Sequence, residues 1–381
     1  MKKIAIIGAG MSGLFIANLF KKNPNYQTII YEKSDSINLD EGYGIQLSVN
    51  SVKLLNEIGF DTLEKKEKFT PDKINFYLNK SYKKICELDI SDFNSENCKY
   101  TTLKRSVLIN FLEKDLSDLI KFNYCISRIE KQDNQIKLSF ENNENNECDY
   151  LIISDGVFSK CRSLISNDQS KPKYDHSLAI RGNISKALHT IDNRNISLFL
   201  DSNFHQVIYP INAKGDLNFI AIMKYQLSNE ELTNYSLFKD NFFIKKVLNK
   251  VPQKNNEILN NLKDVKVFPI FISADFYNFR KDNIHIIGDA FFTFPPSFAQ
   301  GASQSIETAY DLFKSIENNT EKDFFKNRVK KTKMVNKRSK INQFAFHLSN
   351  PLTVLIRNFF LKRLVKNKKF LESYLGKVYR N

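Results

Sequence analysis

The chain has 381 residues, 42% of them hydrophobic, and a formal net charge of +15. This length accommodates two domains with a sizeable core. The sequence contains no uninterrupted apolar run of about eighteen residues, so it predicts no membrane span. The five cysteines (Cys86, Cys98, Cys125, Cys148 and Cys161) include no C-x-x-C pair, so the sequence predicts neither a disulfide framework nor a metal site, in a reducing cytoplasmic setting.

The positive charge is concentrated at the C-terminal end. Residues 321–381 hold 17 Lys and Arg against 3 acidic residues, which is +14 of the net +15. The remainder of the chain is nearly neutral. No nucleic-acid motif accompanies the basic stretch, so we expect no nucleic-acid partner.

Residues 1–20, MKKIAIIGAGMSGLFIANLF, fit either a signal peptide or a strand that leads into a glycine-rich loop. Three glycines interrupt the apolar run and no small-residue cleavage site follows, which favours the second interpretation. Ile4–Ile7 is then a strand. Gly8 makes the tight turn, Gly10 permits close approach to a pyrophosphate, and Gly13 permits close helix packing.

A second strand is predicted at Gln27–Tyr31, with Glu32 at its end. An acidic residue about twenty residues after the glycine loop is the usual ligand of a ribose hydroxyl. Glu32 is otherwise one surface acid among many, but its placement favours ribose binding. The opening of the chain therefore predicts a dinucleotide site.

Apolar and polar residues alternate in several later segments, which predicts strands. A helix is predicted to begin near Arg105, and the segments between residues 176 and 273 predict an antiparallel sheet inserted in an α/β protein. We expect a nucleotide-binding domain at 1–70, 101–175 and 276–320, a sheet domain at 71–100 and 176–275, and a helical tail at 321–381. The predicted strands include Lys73–Leu78, Lys84–Ile90, Gln135–Phe140, Tyr150–Ser154, Ile196–Leu200, His205–Ile208, Leu217–Met223 and residues 284–288.

Two further motifs follow predicted strands. The first, LIISDGVFSKCR, places Asp155 in an Asp-Gly turn shortly before Arg162. The second, IHIIGDA, delivers Asp289 at the carboxyl end of a strand, where ligands of open α/β sheets bind. It continues into PPSFAQGASQSIE, in which Pro296 stiffens a loop and Gly301 opens a helix with free N–H groups.

These motifs, in this order, resemble those of the single-component FAD-dependent aromatic-ring monooxygenases of the p-hydroxybenzoate and salicylate hydroxylase type. The segments EKSDSINLDEGYGIQLSVNSVKLLNEIG and LKRSVL extend the resemblance to about residues 1–320. It implies an α/β (α+β overall) fold: a Rossmann-like FAD-binding domain, an inserted antiparallel β-sheet substrate domain and a C-terminal helical tail. The residues that it implies for cofactor binding are Gly8, Gly10, Ser12, Gly13, Glu32, Lys33, Gln46, Arg105, Asp155, Arg162, Asp289, Gly301 and Ala302. Asp155 and Arg162 belong to a motif associated with both FAD and NAD(P)H.

The resemblance also implies a chemistry. NADH or NADPH reduces the flavin, O2 adds at its C4a carbon, and the hydroperoxide hydroxylates a small phenolic or aromatic-acid-like ring. Pro296 is expected at the flavin face, and Arg181 is either a partner of the substrate carboxylate or a structural arginine. His205 and Tyr209 are expected on strands that face the flavin.

Phe291 and Phe292 depart from the family pattern, which usually has alanine and histidine there. We expect these two aromatic residues to lie beside the flavin and reshape the substrate pocket. They make plausible one alternative, a flavin-binding protein without hydroxylase turnover. A ubiquinone-precursor ring hydroxylase also stays open as a second alternative.

The tail also supports two interpretations. Residues 350–366 mix large apolar groups with cations at helical spacing, which predicts peripheral contact with the inner face of a membrane or with an acidic partner. Phe359, Phe360 and Leu361 would then form a shallow apolar anchor. In the other interpretation, the tail is a terminal helix packed on the FAD domain with a solvated basic face.

Overall fold

The structure of the chain is a computed structural model that describes residues 1–37, 39, 43–132, 135–166, 171–252, 257–274 and 283–380. Its strands are β1 (Lys2–Ile7), β2 (Tyr26–Tyr31), β3 (Gly44–Leu47), β4 (Lys68–Phe69), β5 (Lys73–Leu78), β6 (Lys84–Asp89), β7 (Thr101–Lys104), β8 (Ile120–Lys121), β9 (Ile126–Gln132), β10 (Gln135–Phe140), β11 (Asn145–Cys148), β12 (Tyr150–Ile153), β13 (Lys173–Ile184), β14 (Ile196–Asp201), β15 (Phe204–Pro210), β16 (Leu217–Lys224), β17 (Lys263–Ile272) and β18 (Ile284–Ile286). Its α-helices are α1 (Met11–Lys21), α2 (Val49–Asn56), α3 (Arg105–Glu113), α4 (Lys160–Ile165), α5 (Asn229–Thr233), α6 (Asn241–Leu248), α7 (Glu257–Asn260), α8 (Gly301–Glu317), α9 (Glu321–Phe346), α10 (Pro351–Leu364), α11 (Lys368–Leu371) and α12 (Lys377–Tyr379).

A five-stranded parallel sheet in the order β18-β12-β1-β2-β8 forms the nucleotide-binding part. Its central strands are near-continuous aliphatic runs because a parallel sheet is covered on both faces. Helices α1 and α8 pack against each other, and α1 also packs on β1 and β2. The three antiparallel strands β9 to β11 share a separate hydrophobic cluster with the other side of the sheet.

A seven-stranded sheet in the order β17-β13-β16-β15-β14-β5-β6 forms the second part of the fold. Its neighbouring strands are antiparallel except for the parallel pair β14 and β5. The predicted fold class, a Rossmann-like unit with an inserted antiparallel sheet and a helical C-terminal tail, is confirmed. The exact division of the chain into domains stays a prediction.

Some strand limits differ from those expected for local reasons. Strand β18 ends at Ile286, before residue 288, because Gly288 adopts a φ of +63° and begins a tight 3-10 turn. Strand β17 has no clear signal in the sequence because it contains Pro269, which cannot donate a ladder hydrogen bond. Pro269 is tolerated there because β17 is an edge strand.

The tail packs on the body of the protein through α9. The Arg328 side chain, only 1% exposed, donates hydrogen bonds to Glu307 (2.8 Å), Asp311 (2.9 Å) and Gln304 (2.9 Å) of α8. A buried guanidinium is stable only when charged and polar partners replace its lost hydration. For α9, the structure therefore favours the interpretation of a packed terminal helix.

The rest of the tail covers one face of the seven-stranded sheet. Val335 and Phe346 of α9 share a buried cluster with Leu198 of β14, and the final residues Leu375 and Val378 join the same cluster. Among the described residues, none of the helices combines the length and the apolar character needed to cross a bilayer. The tail is thus an integral wall of the fold along much of its length.

Replacing Arg328 by Met should destabilise the protein by about 3–5 kcal/mol, because it leaves the buried Glu307 carboxylate without its main partner. Urea unfolding followed by circular dichroism measures the change. Lys330→Met, on an exposed position of the same helix, is the matched control and should change stability by less than about 0.5 kcal/mol. Equal effects of the two substitutions would contradict a role for the buried ion pair.

Candidate active site

The candidate site lies at the carboxyl ends of four parallel strands. Ile7 of β1 is in register with Tyr31 of β2 and with Ile153 of β12, which is itself paired with Ile286 of β18. The residues that follow these positions therefore meet at one edge of the sheet. This edge brings together the glycine loop, Glu32, the Asp-Gly motif and the Gly-Asp motif.

The glycine loop has the geometry that its sequence predicts. Gly8 adopts a φ of +103°, and a Cβ there would lie 2.7 Å from the Ser154 carbonyl oxygen. A Cβ on Gly13 would overlap the carbonyl oxygen of Gly8, so this glycine allows α1 to start close to the strand. By contrast, a Cβ on Gly10 would meet nothing within 4 Å. The open space at Gly10 is where a pyrophosphate could approach the backbone.

Glu32 closes the second strand beside this loop. Its carboxylate accepts hydrogen bonds from the backbone N–H groups of Ala9 (2.8 Å) and Ser34 (3.0 Å). The acid is therefore held next to the glycine loop rather than spread over the surface. Lys33, in contrast, is exposed. The ribose role of Glu32 and the cofactor role of Lys33 remain predictions.

The Asp-Gly motif supplies one carboxylate oxygen with no hydrogen-bond partner in the described part of the chain. Asp155 accepts the Cys161 N–H through Oδ2 (3.0 Å), while its buried Oδ1 has none. Arg162 is 4% exposed and donates to the carbonyl oxygens of Ala290 (3.2 Å) and Val157 (2.6 Å). Arg162 thus links the Asp-Gly and Gly-Asp loops, a structural contribution that the sequence did not reveal.

The Gly-Asp motif lies against the first helix. A Cβ on Gly288 would overlap the Ser12 hydroxyl, so glycine lets the two motifs touch. Asp289 is exposed to the central cavity, and desolvation by the protein groups around it raises its pKa to about 6. The positive charge of Arg105, at the start of α3, opposes the rise.

The segment after this motif forms a rigid loop and a helix start. A 3-10 turn covers Pro296–Phe298 and is followed by Ala299, a residue with a φ of +50°. Helix α8 then begins at Gly301, where a Cβ would again meet nothing within 4 Å, and Ala302 follows. The tail holds this loop, since the Asn342 side-chain amide donates to the Ser297 carbonyl oxygen (3.1 Å).

A cavity of about 1000 Å³ opens directly from these residues. Gln46, Asp289, Pro296, Gly301 and Ala302 line one end of it. The floor is a face of the seven-stranded sheet, and the tail helices form the opposite wall. Four of the thirteen predicted cofactor residues, Gln46, Asp289, Gly301 and Ala302, thus line one cavity.

Arg181, Tyr209 and His205 also line the cavity. The guanidinium of Arg181 lies 5.8 Å from the centre of the Tyr43 ring, and it takes part in no salt bridge of the described residues. Burial raises the pKa of Tyr209, so this hydroxyl stays protonated at neutral pH. The Tyr209 hydroxyl forms a hydrogen bond with the Gln46 side chain, so Tyr209 lies at the end of the cavity near Gln46.

The expected placement of His205 on a strand that faces the flavin stays a prediction, and His205 lines the same cavity as Pro296. His205 lies four residues from Tyr209 along β15, at the tail end of the cavity, where its Nδ1 is 2.7 Å from the Nε2 atom of His347. Burial lowers the pKa of both imidazoles, to about 4 for His347, so both are neutral at pH 7. The contact depends on a tail residue that is distant in sequence, and alternation along β15 could not reveal it.

The expectation that Phe291 and Phe292 reshape the pocket is wrong. Both side chains are buried, at 6% and 4% exposure, in a cluster with Ile153 and Ile286 behind the sheet edge. Neither of them lines the cavity, although Phe294 does. The turn that starts at Gly288 directs these two residues inward, where they fill the core.

The arrangement fits FAD. Two glycines at loop and helix starts leave open space, and a buried carboxylate oxygen of Asp155 awaits a partner. The N-terminus of the long helix α8 adds unpaired backbone N–H groups, which favour an anionic or carbonyl group. The Asp289 carboxylate adds a hydrogen-bond acceptor. Together these groups are suited to bind a dinucleotide with a polar linker.

The comparisons with known proteins agree with this geometry. The family described as FAD binding domain matches residues 1–321. The chain belongs to this family. The resemblance to FAD-dependent aromatic-ring monooxygenases and the FAD cofactor are thereby confirmed.

Individual relatives are distant. The 6-hydroxynicotinate 3-monooxygenase of Bordetella bronchiseptica is 21% identical over 83% of this chain and 82% of its own length. Klebsiella pneumoniae HpxO, in complex with FAD and uric acid, has a TM-score of 0.79 at 15% identity, covering 98% of this chain and 97% of its own. A salicylate hydroxylase substrate complex has a TM-score of 0.78 at 17% identity, covering 100% of this chain and 95% of its own. These structures share the fold.

FAD affinity should fall by about three- to tenfold between pH 7.5 and pH 5, with a midpoint near 6. Above that pH, Asp289 is a carboxylate, and hydrogen bonds to an ionised acceptor are roughly twice as strong as neutral ones. Below it, the protonated side chain binds a flavin hydroxyl less tightly. Fluorescence titration of the apoprotein with FAD measures the profile.

The isosteric variant Asp289→Asn is the control for this profile. It should bind FAD more weakly at pH 7.5 and lose the dependence near pH 6, since an amide does not titrate. An unchanged pH profile in the variant would show that another group causes the dependence.

Proposed function

We propose that the protein is an NAD(P)H-driven monooxygenase that uses FAD to hydroxylate a small phenolic or aromatic-acid-like ring with O2. The observation that carries this proposal is the cavity that begins at Asp289, Pro296 and Gly301 and contains Arg181. A cofactor held at the sheet edge would present its reactive part to this cavity. We propose that the reaction takes place in the cytoplasm.

The chain's own residues would bind the cofactor, orient the substrate ring and exclude water from it. When bound, FAD supplies the redox and oxygen chemistry. Glu32 would hold the ribose, and the backbone N–H groups at Gly301 and Ala302 would face the cofactor. Arg181 would attract a substrate carboxylate or phenolate, and the largely apolar walls would exclude water from the reacting ring.

Two alternatives carry different weight. Phe291 and Phe292 suggested a flavin-binding protein without turnover. The argument for this alternative is weaker because both residues lie in the core. A ubiquinone-precursor ring hydroxylase gains support from the cavity, which extends far beyond the space near Tyr209. Both alternatives predict bound FAD, so cofactor content alone does not separate them.

The test is substrate-stimulated NADH or NADPH oxidation in a panel of phenols and aromatic acids, with mass spectrometry of the products. We expect at least one compound to accelerate oxidation tenfold or more and to gain one oxygen atom. Gly10→Val, whose side chain would fill the open cradle without backbone strain at a φ of −82°, is the FAD-free control. Slow oxidation that no ring compound stimulates would reject the hydroxylase proposal.

We further propose a peripheral contact between the tail and an anionic membrane surface. Residues 324–371 contain 14 Lys and Arg and no acidic residue. In α10, Leu352, Leu355, Ile356, Phe359 and Phe360 are 48–66% exposed and recur at helical spacing. An exposed apolar stripe bordered by cations is suited to an interface with anionic lipid.

The double variant Leu355→Glu/Phe359→Glu tests this contact, because it adds negative charge to the exposed stripe without touching the packed face. Wild-type protein should co-sediment with vesicles of phosphatidylglycerol and phosphatidylcholine at low salt and be released as salt rises. The double variant should bind at least tenfold more weakly. Phe242→Glu, on the exposed face of α6 at 79% exposure, is the control and should bind like wild type.

If wild type and double variant bind equally, the membrane proposal fails. Dimers of the wild type that the double variant abolishes, without vesicle binding, would identify the stripe as a contact between two copies and also overturn it.

A further inference from the structure

The tail end of the cavity contains a buried positive charge. Arg357 of α10 lines the cavity and is only 6% exposed. Its Nη1 atom donates a hydrogen bond to the Ala345 carbonyl oxygen (3.2 Å), close to the end of α9, and two residues later His347 contacts His205. Four residues of β15, about 13 Å, separate His205 from Tyr209 at the flavin end. Arg357 therefore belongs to the opposite end of the cavity.

This guanidinium has no acidic partner among the described residues. Arg357 takes part in none of their salt bridges. Burial lowers the pKa of Arg357, and the charge of Asp201 opposes this effect. The Asp201 carboxylate, however, is bound by the Asn79 amide (3.1 Å) and lies 3.9 Å from the Lys80 ammonium. A buried cation without a counter-ion is costly, so an anion beside Arg357 would be favoured.

Neutral groups satisfy only part of the guanidinium. An arginine side chain has five N–H groups. The Nε and Nη2 atoms of Arg357 each donate one hydrogen bond to the Asn358 side-chain oxygen (3.1 and 2.9 Å), and Nη1 donates one to Ala345. Within the part of the chain that the structure describes, one N–H group on each of Nη1 and Nη2 thus has no acceptor. A carboxylate can accept two parallel hydrogen bonds from a guanidinium.

The surroundings of Arg357 contain no competing charge. Among the described residues that line the cavity, the other groups charged at pH 7 are Arg181 and Asp289. Both belong to the flavin end, where the charge of Arg181 acts on Tyr209. His205, at the tail end, is neutral because burial lowers its pKa. In such a poorly hydrated site, a cation attracts an anion more strongly than it does in water.

From these observations, we propose that the tail end of the cavity binds the carboxylate of an organic ligand at Arg357. The carboxylate accepts hydrogen bonds from Nη1 and Nη2 and supplies the missing counter-ion. Its source is either a small free acid or the acid end of a substrate whose ring lies at the flavin end, because both present the same group to Arg357. The site lies outside residues 1–321, which match the FAD binding domain family. It goes beyond the proposed function, since it does not depend on hydroxylation.

The experiment measures dissociation constants by isothermal titration calorimetry on the FAD-loaded protein at pH 7.5. Two pairs of probes differ only in charge: hexanoate with hexanamide, and 9-(4-hydroxyphenyl)nonanoate with its primary amide. We expect the acid of at least one pair to bind at least tenfold more tightly than its amide, because only the acid supplies an anion. A preference in the first pair shows that a free acid is sufficient. A preference in the second pair alone assigns the carboxylate to the end of a longer ligand.

Two substitutions remove the site in different ways. Arg357→Met deletes the cation and should abolish the preference for the acid. Thr353→Glu adds a carboxylate four residues before Arg357, where side chains on a helix are neighbours, and should abolish the preference by occupying the guanidinium. Thr353 is exposed and lines the cavity. The added ion pair should also raise the melting temperature relative to Thr353→Gln, so this variant tests the site if Arg357→Met does not fold.

Matched controls keep the charge at position 357. Thr353→Gln has the size of the glutamate variant without its charge, and Arg363→Met removes an exposed arginine of the same helix that does not line the cavity. Both should retain the preference of the wild type.

Three results would overturn the proposal. The first is a wild-type protein that prefers neither acid by tenfold. The second is a preference that survives both Arg357→Met and Thr353→Glu. The third is a preference that Arg181→Met abolishes and Arg357→Met leaves intact, which would place the carboxylate at the flavin end. All three concern binding and not turnover, so the proposed function stands or falls separately.

Discussion

The buried ion pair between Arg328 and Glu307 holds together the parts of the chain that form the site. Glu307 accepts hydrogen bonds from Arg328 of α9 (2.8 Å) and from the Asn50 amide of α2 (2.7 Å). One carboxylate thus joins three helices. Helix α2 follows the strand that carries Gln46, α8 begins at the candidate flavin loop, and α9 carries Asn342. Because an unpaired buried charge is costly, the positions of these helices depend on one another.

The tail is therefore part of the site and not an appendage. Asn342 donates to the Ser297 carbonyl oxygen within the loop that begins at Pro296, and the Tyr374 hydroxyl donates to Asn342 (2.8 Å). Backbone groups in such loops need partners when they are buried. The C-terminal helices thus set the shape of a loop whose sequence lies some 45 residues earlier. The resemblance, which ends near residue 320, gave no information about this contribution.

What the sequence predicted well depends on local rules. The turn at Gly8 follows from glycine conformation, and the register of four parallel strands brings the residues after them to one edge. What it missed depends on contacts between distant segments. His205 contacts His347, and Arg328 binds Glu307. The residues of each pair lie far apart in the sequence or on different helices. In the motif QGASQSIE, the spacing of Gln304 and Glu307 on one helix face was the available signal for a buried partner.

Helix α10 departs from the usual arrangement of a surface helix. An amphipathic helix normally turns its apolar stripe to the core and its cations to water. Here Leu355 and Phe359 face outward, whereas Arg357 is 6% exposed and caps the Ala345 carbonyl oxygen at the end of α9. The helix is thus fixed partly by a polar contact to the preceding helix, and its most apolar stripe takes no part in the fold. The exposed stripe of α10 is therefore the feature of the tail on which the proposed contact with anionic lipid rests.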